Sequence, residues 1–158
     1  MNKVQSFSLA VLAVMALSNC SKESSDPVDT AYPVIDISAA NAFPKQCSTI
    51  KRGDKFTFIT QLSDNAELGS LSVDIHHNFD GHSHSTEVKD CVSDPVKTAV
   101  KPFLFIQNFS IPPGQKSHQT AIEINVPADV DAGDYHFLIR VTDKEGWQTL
   151  KGLSIKLI

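Results

Sequence analysis

The sequence predicts an all-β domain made of two antiparallel sheets packed face to face. Residues 33 to 158 contain short runs rich in Val, Ile, Phe and Thr in which apolar and polar side chains alternate, the pattern of strands with one buried face. Gly, Pro, Asn and Asp separate the runs, and no run has helical periodicity. Because each strand has a single apolar face, the sheets must bury these faces against each other in a β-sandwich of about seven or eight strands.

Eight runs are predicted as strands. In every strand after the first, with the exception of 82–90, the side chains of one face are predicted to form the core. The strands are predicted over residues 33–38, 55–62, 70–79, 82–90, 102–111, 119–127, 134–142 and 147–157. Alternation along the strands places one set of side chains on the buried side. This set is Phe56, Phe58, Leu62, Leu71, Val73, Ile75, Phe103, Phe105, Phe109, Ile111, Ile122, Ile124, Val126, Tyr135, Phe137, Ile139, Val141, Leu153, Ile155 and Leu157.

The size and charge of the chain limit the classes of function. With 158 residues and a net charge of -4, the chain is long enough for one compact domain and too short for a multidomain enzyme. The net negative charge does not indicate the basic surface that nucleic-acid binding requires. We therefore expect no nucleic-acid partner.

The N-terminal segment indicates export. Residues 7–17 form an apolar stretch after Lys3, and about eleven residues are too few to cross a bilayer, which needs about twenty. The tetrapeptide Leu17-Ser18-Asn19-Cys20 resembles the lipobox of bacterial lipoproteins. This resemblance implies a signal peptide over residues 1–19 that is removed and a lipid anchor on Cys20 that attaches the protein to a membrane.

A polar segment over residues 20–32 is predicted as a flexible tether between the anchor and the domain over 33–158. Its residues 21–26 resemble the lysine-plus-acidic export signal that sends lipoproteins of Bacteroidota-type bacteria to the outer face of the outer membrane. The resemblance implies location in the outer membrane with exposure at the cell surface. The residues by themselves do not decide between the periplasmic and the external leaflet. Asp29-Thr30-Ala31 resembles the O-glycosylation tripeptide of the same bacteria, and the sequence leaves that modification open as well.

Two cysteines remain once Cys20 is assigned to lipid. Export places Cys47 and Cys91 in an oxidising compartment, where an even pair predicts a disulfide. Closing a loop of about 45 residues stabilises the fold by about 4 kcal/mol in the chain-entropy description. The alternatives are two free thiols or a thiolate metal site.

The C-terminal stretch from Asp131 to Trp147 resembles the last hairpin of immunoglobulin-like domains, in which a tyrosine hydroxyl binds nearby backbone. The resemblance implies an immunoglobulin-like sandwich with Tyr135 as that residue. The whole chain resembles a family of small Bacteroidota surface lipoproteins with an immunoglobulin-like domain of uncharacterised function. That resemblance implies a fold and a cellular location but no activity.

Four of the six histidines lie between positions 76 and 84. Asp80-Gly81 predicts a two-residue hairpin turn, which places His77 opposite His84 and puts both on one face with His82. Three imidazoles with an open fourth position predict a binding site for Zn(II) or Cu(II), with Asp80 as a fourth ligand or a hydrogen-bond acceptor. His76 falls on the opposite face with Asp74, and His136, distant in sequence, is predicted by alternation to point outward.

Other interpretations of the chain are a noncatalytic binding module and a metal-dependent enzyme. If the histidines are solvated hairpin residues, the domain is an adhesion or assembly module that binds a glycan or a protein through loops or a sheet edge. No Gly-x-Ser-x-Gly motif or identifiable acid and base is present, so catalysis is not expected. The acidic residues Asp131, Asp134, Asp143 and Glu145 have the chemistry of a calcium site, but ordinary turn chemistry is the favoured interpretation.

Overall fold

The computed structural model describes residues 28–84, 86 and 91–158, which fold as an all-β immunoglobulin-like sandwich without helices. The described residues form ten strands. They are β1 (Val34–Asp36), β2 (Ser48–Ile50), β3 (Lys55–Phe58), β4 (Gln61–Ser63), β5 (Leu68–His77), β6 (Phe105–Ser110), β7 (Ser117–Gln119), β8 (Ile122–Asn125), β9 (Gly133–Asp143) and β10 (Gln148–Leu157). In this part of the chain, no helix has the length and apolarity needed to span a membrane.

One layer is a five-stranded sheet in the order β2-β10-β9-β5-β6. Its three central strands are the long ones that alternation predicts, and β9 pairs antiparallel with both β10 and β5. The short edge strand β2, which the sequence did not predict, pairs parallel with β10. This sheet carries His76 and His136 on its outer face.

The opposite layer contains β1-β4-β7 and β3-β8. The predicted strands 55–62 and 119–127 are each divided in two, because buried Thr60 and Thr120 replace part of the ladder with side-chain hydrogen bonds. The Thr120 hydroxyl accepts from the Thr60 amide (2.8 Å) and donates to the Phe58 carbonyl (3.0 Å). The register continues across this interruption, since Phe58 pairs with Ile122 and Gln61 with Gln119.

The core lies between the layers and confirms the predicted buried face. All the predicted core residues are buried except Phe56, Phe105, Phe109 and Ile122, which are partly buried against the core. The hydroxyl of Tyr135 donates to the carbonyl of Asp131 (2.7 Å) and accepts from the amide of Phe103 (3.1 Å), as the immunoglobulin-like hairpin implied. The predicted core omits several buried side chains, among them Ile35, Ile50, Leu68, Phe79 and Val130.

The predicted disulfide is confirmed. Cys47 and Cys91 are bonded, with their Cα atoms 5.4 Å apart. The bond ties the segment before β2 to the chain between β5 and β6. The predicted signal peptide 1–19, the lipidation site Cys20 and the tether up to residue 27 lie outside the described residues.

Candidate metal site

The connecting loop from β5 to β6 contacts the outer face of the five-stranded sheet through its described residues. Three contacts hold it there: the carbonyl of His82 accepts from His136 Nε2 (2.9 Å), the amide of Thr86 donates to Gly152 (3.0 Å), and Cys91 forms the disulfide. A connection of this length, from position 78 to position 104, is uncommon in a compact domain and usually serves a function.

The predicted two-residue hairpin at Asp80-Gly81 is wrong, and so is the predicted strand 82–90 for its described residues, none of which is in a strand. The reason is that both edges of β5 are occupied along residues 70–75, by β6 on one side and β9 on the other, so a strand 82–90 cannot pair there. Instead, Gly81 closes a turn on Asn78, and Phe79 enters the core with 4% of its surface exposed.

This turn separates His77 from the other predicted ligands. The ring of His77 stacks on Phe79 at a centroid distance of 4.8 Å, and its Nδ1 accepts from the amide of Phe79 (3.5 Å). Because successive side chains of a strand point to opposite faces, His76 takes the place that the sequence analysis gave to His77.

Four imidazoles form one cluster, which we call the histidine cluster: His76, His82, His84 and His136. His76 on β5 pairs directly with His136 on β9, and His82 and His84 come from the loop above them. Their ring centroids are 4.9 to 5.6 Å apart, as between His82 and His84 (4.9 Å) and between His76 and His82 (5.6 Å). The ligand nitrogens of His76, His82 and His84 all lie within 4.8 Å of one another, a spacing from which small side-chain rotations can bring three nitrogens to one ion.

Two of these three imidazoles are oriented by a carboxylate. Nδ1 of His76 donates to Asp74 (2.8 Å) and Nδ1 of His82 donates to Asp80. Each ring therefore keeps its Nε2 lone pair for an ion, and carboxylates behind metal-binding imidazoles orient the ring and increase its basicity. The hydrogen bond from His82 lowers the pKa of the Asp80 carboxyl below its ordinary value. Of the two predicted roles of Asp80, this geometry corresponds to the hydrogen-bond acceptor.

His136 supports the loop and was left out of the predicted site. Alternation correctly placed it on the outer face, but the loop covers it, so only 2% of its surface is exposed. Its Nε2 donates to the carbonyl of His82, while its buried Nδ1 has no hydrogen-bond partner in the described residues. Burial lowers the pKa of His136 below 6.5 and keeps the ring neutral. Only the pairing of β5 with β9 reveals this residue, and no local pattern encodes that pairing.

The pKa of His136 predicts a pH-dependent stability. The unfolded chain takes up this proton more readily than the folded protein, so the stabilisation by the neutral ring is present above about pH 6.5 and is lost as the pH falls through the lower folded-state pKa. In His136→Gln, we expect the slope of unfolding free energy between about pH 7 and 5 to decrease by up to about 1.4 kcal/mol per pH unit. Urea unfolding in EDTA measures this slope, and His118→Gln, on β7 in the other layer, is the control. Equal slopes in all three proteins would contradict the assignment.

An open groove of about 670 Å³ adjoins the histidine cluster. Its lining includes His82 and His136, the disulfide and polar groups of the loop and β10, among them Asn78, Ser83, Ser154 and Lys156. Lys156 is held by Asp94 (2.7 Å) and lies 3.4 Å from Asp134. The groove gives a small polar ligand access to one side of the cluster.

Residues 18–158 match a family described as "Domain of unknown function (DUF4625)". The chain belongs to this family. No curated protein sequence matches this DUF4625 chain. The family assignment therefore agrees with the uncharacterised family that the sequence resembled and brings no activity with it.

Solved structures resemble the DUF4625 chain only distantly. It is similar to the GspB Siglec domain, at 20% identity and a TM-score of 0.43 over 82% of this chain and 59% of that one. It is also similar to Spo0M, a sporulation control protein from Bacillus subtilis, at 12% identity and a TM-score of 0.42 over 82% and 50%. A superoxide reductase (neelaredoxin) from Ignicoccus hospitalis matches at 10% identity and 0.34 over 80% and 81%. These TM-scores carry no information about function.

Proposed function

We propose that this domain binds a transition-metal ion, Zn(II) or Cu(II), through His76, His82 and His84 and that it acts without catalysis. The observation that carries the proposal is the convergence of three imidazoles within 4.8 Å, two of them backed by Asp74 and Asp80. Neutral imidazole nitrogen suits both ions. His84 is exposed and His76 and His82 are partly so, which leaves room for water or a partner's ligand on the ion.

The same proposal places the protein in the cell envelope, lipid-anchored at Cys20 in the outer membrane. The lipobox-like tetrapeptide and the polar segment after it support this address. An exposed metal site on an anchored domain suits capture or delivery of an ion at the membrane surface. The carboxylates beside the site already serve the imidazoles, which favours binding over an acid-base reaction.

Calorimetric titration of the full chain, without an oligohistidine tag, tests metal binding. With Zn(II) or Cu(II) at about pH 7.5, where most imidazole is neutral, we expect a one-to-one complex. Each of His76→Ala, His82→Ala and His84→Ala is expected to weaken it at least about tenfold. His77→Ala and the control His118→Ala are expected to leave the affinity unchanged. Binding weaker than about millimolar, or a loss with His77→Ala but not with His76→Ala, would refute the proposed ligand set.

The groove beside the cluster supports a second candidate, an adhesion or assembly module that takes a glycan or a protein. Its polar lining, with Asn78, Ser83 and Lys156, suits hydroxyl-rich ligands better than apolar ones. The titration separates the two functions, because only the metal-binding function requires the imidazoles of His76 and His84, which do not line the groove.

A further inference from the structure

A second group of potential ligands lies at the end of the sandwich, where the turn between β9 and β10 meets the segment before β1. Asp29, Asp143 and Glu145 present carboxylate oxygens that all lie within 4.8 Å of one another. Asp143, the last residue of β9, is buried with 4% of its surface exposed. Asp29 is partly buried and Glu145 is exposed.

Turn chemistry explains one oxygen of each aspartate but not the other. Asp143 Oδ1 accepts from the amides of Gly146 (2.6 Å) and Trp147 (2.7 Å), and Asp29 Oδ1 accepts from Ala31 (2.9 Å) and Asn65 (2.9 Å). The Oδ2 atoms of both aspartates are buried and have no hydrogen-bond partner within the described part of the chain. Burying two carboxylate oxygens without partners carries a large desolvation cost, which a cation bound between them would offset.

The lysines nearest to these carboxylates have other partners in the described residues. Lys144 pairs with Glu67 at 3.7 Å, and the ammonium of Lys116 donates to the carbonyl of Asn65 (2.8 Å). None of the ion pairs in the described ranges includes Asp29, Asp143 or Glu145. The three carboxylates therefore form an anionic site open toward Glu145.

We propose that Ca²⁺ binds between Asp29, Asp143 and Glu145. Carboxylate oxygens without nitrogen or sulfur ligands suit a hard cation, and Ca²⁺ accepts six to eight oxygens in flexible geometry, with backbone carbonyls and waters completing the shell. This site shares no residue with the histidine cluster. Because one site offers carboxylate oxygens and the other imidazole nitrogens, the two sites select different ions.

The calcium ion joins the N-terminal segment to the domain. Trp147 Nε1 already donates to the carbonyl of Asp29 (2.9 Å), and Tyr32 packs edge-on against Trp147 at 4.9 Å. A ligand that bridges Asp29 to Asp143 stabilises this contact only while the segment is docked. Calcium therefore strengthens the docking of residues 29–32, the end of the predicted tether, against the domain.

Terbium luminescence tests the site directly, because Tb³⁺ replaces Ca²⁺ at oxygen sites and the chain has one tryptophan, Trp147. Excitation of Trp147 in the full chain is expected to give sensitised Tb³⁺ emission that Ca²⁺ displaces with a Kd of about 10⁻⁴ to 10⁻³ M. About 10 mM Ca²⁺ is expected to raise Tm by about 5 °C.

Matched variants keep the turn while removing ligand charge. In Asp29→Asn and Asp143→Asn the remaining amide oxygen can still accept the backbone hydrogen bonds, and Glu145→Gln changes an exposed side chain. Each is expected to weaken Ca²⁺ binding at least about tenfold. Glu123→Gln, which alters an exposed ion pair with Lys55, and His84→Ala are expected to retain the calcium response.

Two results would overturn the calcium site. One is the absence of a Ca²⁺-dependent change in Tm together with terbium emission that persists in Asp143→Asn. The other is a wild-type protein unaffected by Ca²⁺ and an Asp143→Asn variant that melts higher in EDTA, which would mean that the two aspartates share a proton instead of a metal ion. Neither result depends on metal binding by the histidine cluster.

Discussion

Lowering the pH from about 7.5 to about 5.5 is expected to weaken Zn(II) binding by the histidine cluster about a thousandfold. A protonated imidazole cannot coordinate, and an imidazole that titrates near pH 6.5 is about 90% protonated at pH 5.5. The losses multiply over three ligands, because His76, His82 and His84 must all be neutral to hold one ion. Competition with a chromogenic zinc chelator at several pH values measures the affinity.

Calcium binding by the same protein is the internal control for this experiment. Carboxylates titrate near pH 4, so Ca²⁺ affinity is expected to change far less over this range. Zinc affinity that stays constant between about pH 7.5 and 5.5 would show that imidazoles do not hold the ion. If the logarithm of the zinc affinity changes with pH with the slope expected for one proton, the ligand set would be reduced to a single histidine.

Gly152→Ala is expected to weaken zinc binding at least about tenfold without altering any ligand. Gly152 lies on the outer face of β10 beneath the loop, where an added Cβ would be 2.0 Å from the carbonyl oxygen of His84. A Cβ atom and a carbonyl oxygen cannot lie that close together, so the segment carrying His82 and His84 must move away from His76. The same overlap is expected to lower the unfolding free energy by about 1 to 3 kcal/mol.

Ser154→Ala, two residues along the same face of β10, is the matched control. We expect it to retain both zinc affinity and stability, because it removes atoms from this face without adding a clash. Calorimetry gives the affinity and urea unfolding gives the stability of each variant. Wild-type zinc binding in Gly152→Ala would mean that the position of the loop on β10 does not determine the site.

The β-sandwich was largely predictable because its determinants are local. Alternation along β5, β9 and β10 is a two-residue pattern, and it identified Val73, Phe137 and Leu153 as core residues. The divided strands were not predictable, since Thr60 and Thr120 fit a strand pattern equally well and only their mutual hydrogen bonds interrupt the ladder.

The alternation of side chains between the two faces of a strand explains why the metal site was only partly predictable. The sequence analysis named His82 and His84, which the structure brings together, but it chose His77 over His76. The choice depended on a turn centred at positions 80 and 81, and a change of one residue in register moves every side chain to the other face.

Sequence alone determined the strand periodicity, the cysteine pair and the concentration of histidines, since each is a property of residue type and spacing. Tertiary structure decided which imidazoles meet, because β6 and β9 occupy both edges of β5 and Phe79 is buried in the core. It also brought His136 beneath His82 and Asp29 beside Asp143. These contacts join residues more than fifty positions apart, and only the packing of the folded chain specifies such neighbours.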